Sequence, residues 1–212
     1  VSQNRSSAVM AQRHAPPEGL DYYPTPPWAT RALCERLSLA GKTVWEPACG
    51  ELYMARPLAE YAGSVIASDI FDYGVGAQVI DFLSVADDRE LFPTTPPSCD
   101  WVITNPPFRL LTEFLERALK VSKQGVAFFA RTQALEGNDR YERFFSRGLL
   151  TEFHQFVERV ALVGGRVDPD AASASAYAWF VFEHSAPAKP PLWIAPCRAR
   201  LERPHDYAKV AA

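Results

Sequence analysis

The sequence predicts an α/β domain, with about seven strands in a mostly parallel sheet, helices on both faces and a C-terminal antiparallel hairpin. Three observations predict it. Short apolar runs of strand length alternate with stretches whose apolar residues recur at helical spacing. The last two β-rich runs have no helix between them, which calls for an antiparallel pair. The 18 prolines gather into clusters that fall between the runs, and proline marks joints because it fixes φ and removes a donor.

The elements follow in order. Thr25-Pro26-Pro27 opens a helix that runs to Leu39, with proline in its first turn and Trp28, Leu33 and Leu37 on one face. Thr43-Val44-Trp45 is a buried strand, Met54 to Ala62 a helix, and Ser64 to Ala67 a second strand that ends at Asp69. Val79-Ile80 leads a third strand into Asp81-Phe82-Leu83, and Trp101 to Ile103 is a fourth that ends at Thr104-Asn105. Leu110 to Val121 carries a helical stripe, Gly125 to Ala130 is an apolar strand, and Asn138 to Arg147 reads as a helix with acids early and Arg147-Gly148 at its end. Glu152 to Val160 and Ala176 to Phe182 form the hairpin, joined by the small-residue loop Gly164 to Ser175. The aromatic residues Tyr177, Trp179 and Phe182 alternate with Ala176, Ala178 and Phe180 and are expected in the core. Residues 1–20 read as a flexible arm, 21–184 as the domain and 185–212 as an extended tail.

Composition sets outer bounds. No stretch approaches the eighteen or so apolar residues of a membrane span. The polar N-terminus lacks a signal-type apolar core, so the expectation is a cytoplasmic protein. Cys34, Cys49, Cys99 and Cys197 stand far apart without a C-x-x-C pair, which argues against a disulfide scaffold or a structural metal site. His14, His154, His184 and His205 share no ligand spacing. The net charge of −3 gives no global nucleic-acid signature, so any such binding must come from a local basic face. Nothing in the sequence sets an oligomeric state.

In an open α/β sheet the ligand sits at the carboxyl ends of the strands. Those ends carry Glu46-Pro47-Ala48-Cys49-Gly50, then Asp69, then Asp81-Phe82, then Asn105-Pro106-Pro107-Phe108. The last tetrapeptide is the informative one. Two prolines after a buried strand stiffen the loop and leave the Pro106 carbonyl without a local partner. With the Asn105 amide oxygen it can accept both hydrogens of a conjugated amino group and so free the nitrogen lone pair for attack. Phe108 can stack on a flat acceptor, as flipped bases are held.

On these residues the sequence resembles the class I S-adenosylmethionine-dependent methyltransferases. It is most similar to the small phage- and prophage-borne DNA adenine-N6 enzymes, with Tyr23-Pro24-Thr25-Pro26 upstream and the four strand-end motifs following in order from Tyr22 to Glu183. The resemblance implies a single Rossmann-like domain with S-adenosylmethionine as cofactor and no metal. It implies that Tyr23, Thr25 and the Glu46, Pro47, Ala48 and Gly50 loop hold the methionine end. Asp69 would bond the ribose, Ile70 would pack on the adenine, and Asp81 and Phe82 would contact it. Asn105, Pro106, Pro107 and Phe108 would hold the target amine. The implied partner is nucleic acid, DNA before RNA, with RNA amino groups or a protein glutamine as the alternative acceptor.

The chain departs from that pattern where a second glycine should follow Gly50, since it reads Gly50-Glu51-Leu52-Tyr53. A side chain there is expected either to shift the loop or to close it, and a closed loop would leave a non-catalytic binding module. Candidate basic faces are Arg131, Arg140, Arg143 and Arg147, then Arg166, and the tail with Lys189, Arg198, Arg200, Arg203 and Lys209. Cys49 has no basic neighbour to make it a nucleophile.

Overall fold

The computed structural model describes residues 21–84 and 97–208. The expected arm at 1–20, and with it His14, lies outside the described residues, as does Lys209. Eight strands form one sheet: β1 (Thr43–Glu46), β2 (Ser64–Asp69), β3 (Gln78–Val79), β4 (Cys99–Thr104), β5 (Ser122–Arg131), β6 (Glu152–Phe156), β7 (Tyr177–Glu183) and β8 (Leu192–Ile194). Their order is β3-β2-β1-β4-β5-β7-β6-β8. The pairs β2 with β3, β1 with β2, β1 with β4 and β4 with β5 are parallel, while β7 runs antiparallel between β5 and β6. The expected hairpin is therefore present, with its second strand inserted between β5 and the first.

Five α-helical segments accompany the sheet: α1 (Pro27–Cys34), α2 (Ala55–Ala59), α3 (Leu111–Val121), α4 (Asn138–Arg140) and α5 (Arg198–Leu201). The expected helix at 138–147 is α4 followed by a π-helical turn, Tyr141–Phe145. Alternation along the strands sorts the core into two layers. Trp101, Ile103, Phe129 and Trp179 pack with Trp28, Leu33, Leu58 and Leu201 from α1, α2 and α5 on one face. Val102, Phe128 and Phe180 pack with Phe114, Leu115 and Ala118 of α3 on the other. Tyr177, Trp179 and Phe182 are buried, as the alternation predicts.

The tail is where the reading needs correction. Residues 192–201 are folded onto the domain: β8 adds to the sheet parallel to β6, and Ile194, Cys197 and Leu201 enter the core beside α1. The run Leu192-Trp193-Ile194 is only three residues long between Pro191 and Pro196, too short to stand out as a strand. The described basic residues of this segment are engaged in ion pairs, three of them with the domain and one within the segment. Arg200 pairs with Glu35, Arg203 with Glu60, Arg198 with Glu202 and Lys189 with Glu152. No helix among the described residues is long and apolar enough to cross a membrane.

Candidate active site

The strand order reverses between β1 and β4, with β2 and β3 on one side and β5 on the other. At such a switch point the connections leave in opposite directions and open a crevice beyond the carboxyl ends of the strands. Glu46 ends β1 and Asn105 follows β4, so both stand on that rim. The crevice is a cleft of about 800 Å³, open mouth included, lined by Tyr23, Thr25, Glu46, Asp69, Asn105 and their neighbours.

The expected site residues converge on it. Pro47, Ala48, Ile70, Asp81, Phe82 and Pro107 also line the cleft, while Gly50, Pro106 and Phe108 do not. Gly50 takes a left-handed φ of +49, and a Cβ there would lie 2.3 Å from the Tyr22 ring. Glycine is required because an aromatic ring, not a ligand, covers it. Leu52 keeps the backbone conformation a glycine would supply, φ 68, and its side chain is not among those lining the cleft. The loop has accepted the leucine through backbone strain rather than by filling the site. Phe82 is a wall residue more than a contact: it is buried, edge-on to Trp45 at 5.0 Å.

Two buried oxygens in the cleft have no hydrogen-bond partner, Thr25 Oγ1 and Glu46 Oε2. Thr30 Oγ1, Thr104 Oγ1 and His154 Nδ1 are unpartnered away from the cleft, but the Thr25 and Glu46 oxygens stand where a bound molecule could reach them. Burial pushes the Glu46 carboxyl well above the usual carboxylate range, and the nearby Asp69 adds to this. Asp69 is raised by burial too, although its oxygens accept the Gly50 N–H at 2.9 Å and the Phe71 N–H at 3.1 Å. Each of its oxygens keeps a lone pair for a hydroxyl donor. Burial also pushes the Cys49 thiol up, so it is no nucleophile at neutral pH.

A strap formed by residues 21–25 ties down the loop 105–108 through contacts that no local sequence pattern announces. Asn105 Nδ2 donates to the Tyr23 carbonyl at 2.7 Å. A carbonyl only accepts, so this bond fixes which end of the amide is which and leaves Asn105 Oδ1 as the acceptor. The Phe108 N–H donates to the Asp21 carboxylate at 2.7 Å, and the Tyr22 hydroxyl donates to Glu51 at 3.0 Å. The Tyr22 carbonyl accepts from the Gly165 N–H at 2.9 Å. The Pro106 carbonyl accepts no hydrogen bond from another described residue. Tyr53, whose bulk the loop sequence sets beside the site, lines the cleft, and Asp21, Tyr22, Tyr73 and Leu110 line it without having been expected to.

The candidate basic residues are not gathered in the cleft lining. Arg143 pairs with Glu116 and Asp139, Arg166 pairs with Asp168, and Arg140 bonds the backbone carbonyls of Ala134 and Glu136. None of these lines the cleft. Arg131 is different, and lies against Phe108. No group of three or more His, Cys, Asp or Glu side chains among the described residues is placed to hold a metal.

No protein-family profile matches the chain, and no curated protein matches it. Solved structures do. The modification subunit of a candidate type I restriction enzyme from Vibrio vulnificus is 15% identical, with a TM-score of 0.57 over 88% of this chain and 51% of that one. The chain thus spans about half the length of that subunit. A candidate RNA methyltransferase from Pyrococcus horikoshii is 16% identical, with a TM-score of 0.52 over 85% of this chain and 99% of the other. Magnesium protoporphyrin IX methyltransferase from Synechocystis, solved with bound SAH, is 12% identical, with a TM-score of 0.51 over 74% and 82%. These likenesses establish the fold, which is the Rossmann-like methyltransferase fold.

Proposed function

We propose that the protein transfers the methyl group of S-adenosylmethionine to an exocyclic amino group, adenine N6 in DNA being the acceptor favoured. The observation that carries this reading is the Asn105 amide. Its nitrogen is committed to the Tyr23 carbonyl, so its oxygen is an acceptor in the lining of a cleft with orphaned oxygens, and the Pro106 carbonyl, next in the chain and outside that lining, would be the second acceptor. Two adjacent acceptors suit an NH₂ group, and a stiff proline pair keeps their spacing without reorganisation.

S-adenosylmethionine supplies an electrophilic methyl group on a sulfonium. The residues of the chain bind it, align it and polarise the acceptor. Thr25 Oγ1 and Glu46 would take the methionine end, Asp69 the ribose hydroxyls and the Ile70 side chain a face of the adenine. Asp81 and the Phe82 wall would close the adenine end. Asn105 Oδ1 and the Pro106 carbonyl draw the two amine hydrogens, which raises electron density on the nitrogen and points its lone pair away from them. The cofactor, when bound, would give up its methyl group to that nitrogen, and the surplus amine proton would leave to solvent. Alignment of the reacting groups carries much of the acceleration.

Calorimetric titration with S-adenosylmethionine tests the reading, and Glu46 gives it a sharper form. Binding a cation beside Glu46 favours its carboxylate, so the bound carboxyl titrates lower than the free one. A proton is therefore released on binding at a pH between the two values. Affinity should rise with pH and level off above the free value. The measured heat should differ between buffers of unlike ionisation enthalpy, and Glu46→Gln should erase that difference. Equal heats in all buffers would remove Glu46 from the cation site, and no binding at all would overturn the reading. Labelled-methyl transfer to DNA, RNA and a glutamine peptide then identifies the acceptor.

Leu52→Gly provides a second check on the cleft. It relieves a left-handed backbone and should raise stability by up to about 1 kcal/mol. Affinity for S-adenosylmethionine should stay within about twofold, equivalent to roughly 0.4 kcal/mol. A large gain in affinity would show that the leucine crowds the ligand.

A further inference from the structure

Phe108 lies outside the cofactor cleft, and its surroundings suit a second task. Its edge meets Tyr23, ring centroids 6.3 Å apart, and one face is covered by the Arg131 guanidinium, with Cζ 4.7 Å from the ring centroid. Arg131 is the last residue of β5 and pairs in register with Tyr177 at the start of β7. Its Nε donates to the Tyr177 hydroxyl at 3.3 Å. Tyr177 is itself fixed, buried and stacked on Phe129 at 5.2 Å with the rings 2° from parallel. The guanidinium is therefore held from two sides, by the Tyr177 hydroxyl and by the Phe108 ring beneath it.

The charge of Arg131 is not used inside the protein. Among the described residues it has no carboxylate partner, unlike Arg31, Arg143, Arg166, Arg198, Arg200 and Arg203; Arg36, Arg56, Arg140, Arg147 and Arg159 also lack one but donate to backbone carbonyls, which Arg131 does not. With Nε engaged, four N–H donors remain in the plane of the fork, the arrangement that matches a phosphate. Arg109, exposed on the neighbouring residue, also has no ion-pair partner among the described residues. Arg131 thus lies over the Phe108 ring without an ion-pair partner among the described residues, and Arg109 follows that ring in the chain.

We propose that Arg131 binds a backbone phosphate of a single nucleic-acid strand, next to the nucleotide whose amino group enters the Asn105 loop. The proposal rests on the methyl-transfer reading for the choice of nucleotide, and on Arg131 alone for the phosphate. It deepens that reading, because a protein glutamine offers no phosphate at this place. A structural role as a prop for Phe108 would make no use of the unpaired charge.

The test is fluorescence anisotropy with a labelled, adenine-containing single-stranded oligodeoxynucleotide, across about 50 to 200 mM salt. Arg131→Met should weaken binding about tenfold at the low end and reduce the slope of log affinity against log salt by about 0.7, one released counterion's worth. Tyr177→Phe keeps the charge and frees the guanidinium, so it should weaken binding while leaving the slope intact. A wild-type slope in Arg131→Met overturns the phosphate contact, and so does a wild-type protein that binds no oligonucleotide. If Arg131→Met does not fold, Arg131→Lys and Tyr177→Phe decide. Both must keep the wild-type slope while weakening binding, and full wild-type affinity in both overturns the proposal. Titration of the same samples with S-adenosylmethionine separates the two claims. Oligonucleotide binding with an Arg131-dependent slope, in a protein that takes no cofactor, would sustain the phosphate site and remove the methyl-transfer reading.

Discussion

Replacing Asn105 with alanine is expected to slow methyl transfer by about 10²- to 10³-fold, the usual cost of removing one preorganised polar group from a reacting centre. Affinity for S-adenosylmethionine should change little, because the strap does not hang from Asn105 alone. Asp21 still holds the Phe108 N–H, and Tyr22 still reaches Glu51 and Gly165. Asn105→Asp sharpens the prediction. It keeps an oxygen at Oδ1 but faces the Tyr23 carbonyl with a second acceptor where a donor stood at 2.7 Å. Two acceptors at that distance repel, so the aspartate must turn away or take up a proton. It should therefore lose activity as alanine does and disturb the strap as alanine does not. Single-turnover rates with each variant saturated in cofactor check both statements. A turnover within tenfold of the wild type in Asn105→Ala would take the amide out of the mechanism.

The parts of this site that lie close together in the chain were legible, and those assembled from distant segments were not. Asn105 to Phe108 announced itself because strand, acceptor and proline pair are contiguous, and Glu46 and Asp69 because strand ends can be counted from apolar runs. The strap is different. Asp21 and Phe108 are 87 residues apart, and Tyr23 and Asn105 are 82 apart, so no local pattern couples them. The same limit hid Arg131. Its arginine was read as one of a basic group along 131–147, yet the register of β5 with β7 turns it towards Phe108, away from the ion-paired Arg143. Leu52 teaches the opposite lesson, since its side chain lies outside the cleft lining while its backbone takes the left-handed φ of 68 that a glycine would supply. The eighth strand was missed because three residues between prolines carry too little period to register.

The largest effect on stability should come from Arg31→Ala. All eight residues of α1 are buried, Arg31 included, so its charge has to be answered inside the protein. It is answered completely. Nε donates to Glu60 at 2.9 Å, one Nη to Asp206 and to the Leu201 carbonyl at 2.7 Å each, and the other to Asp206 at 2.7 Å and Glu60 at 2.8 Å. Those five bonds use the five donors of a guanidinium. Alanine would strand Asp206, which is only 4% exposed, and breaking a buried pair in this way costs about 3–5 kcal/mol. For a domain of this size that is a fall in Tm of roughly 10 °C. Lysine should rescue little, having fewer donors and no planar fork. The pH dependence has a definite sign. Burial alone would raise the Asp206 carboxyl, but the hydrogen bonds from Arg31 and the Arg203 N–H, with the Arg31 charge, hold it below the usual range. Its contribution is thus fully present above the unfolded value of about 3.9 and is lost as pH falls through the lower folded value. The gap in stability between wild type and Arg31→Ala should narrow below about pH 4. A double replacement, Arg31→Met with Asp206→Leu, removes both charges and should recover much of the loss, since apolar pairs of like volume often substitute well for buried ion pairs. Losses that simply add would show the two side chains to be energetically independent. The pair matters to the cleft as well as to the fold. Thr25, with its orphaned hydroxyl in the cleft, stands two residues before α1, so the tie between α1 and the C-terminal segment fixes the wall of the cofactor site. Arg31→Ala should accordingly weaken S-adenosylmethionine binding even at temperatures where the variant is folded, and Asp206→Ala should do the same.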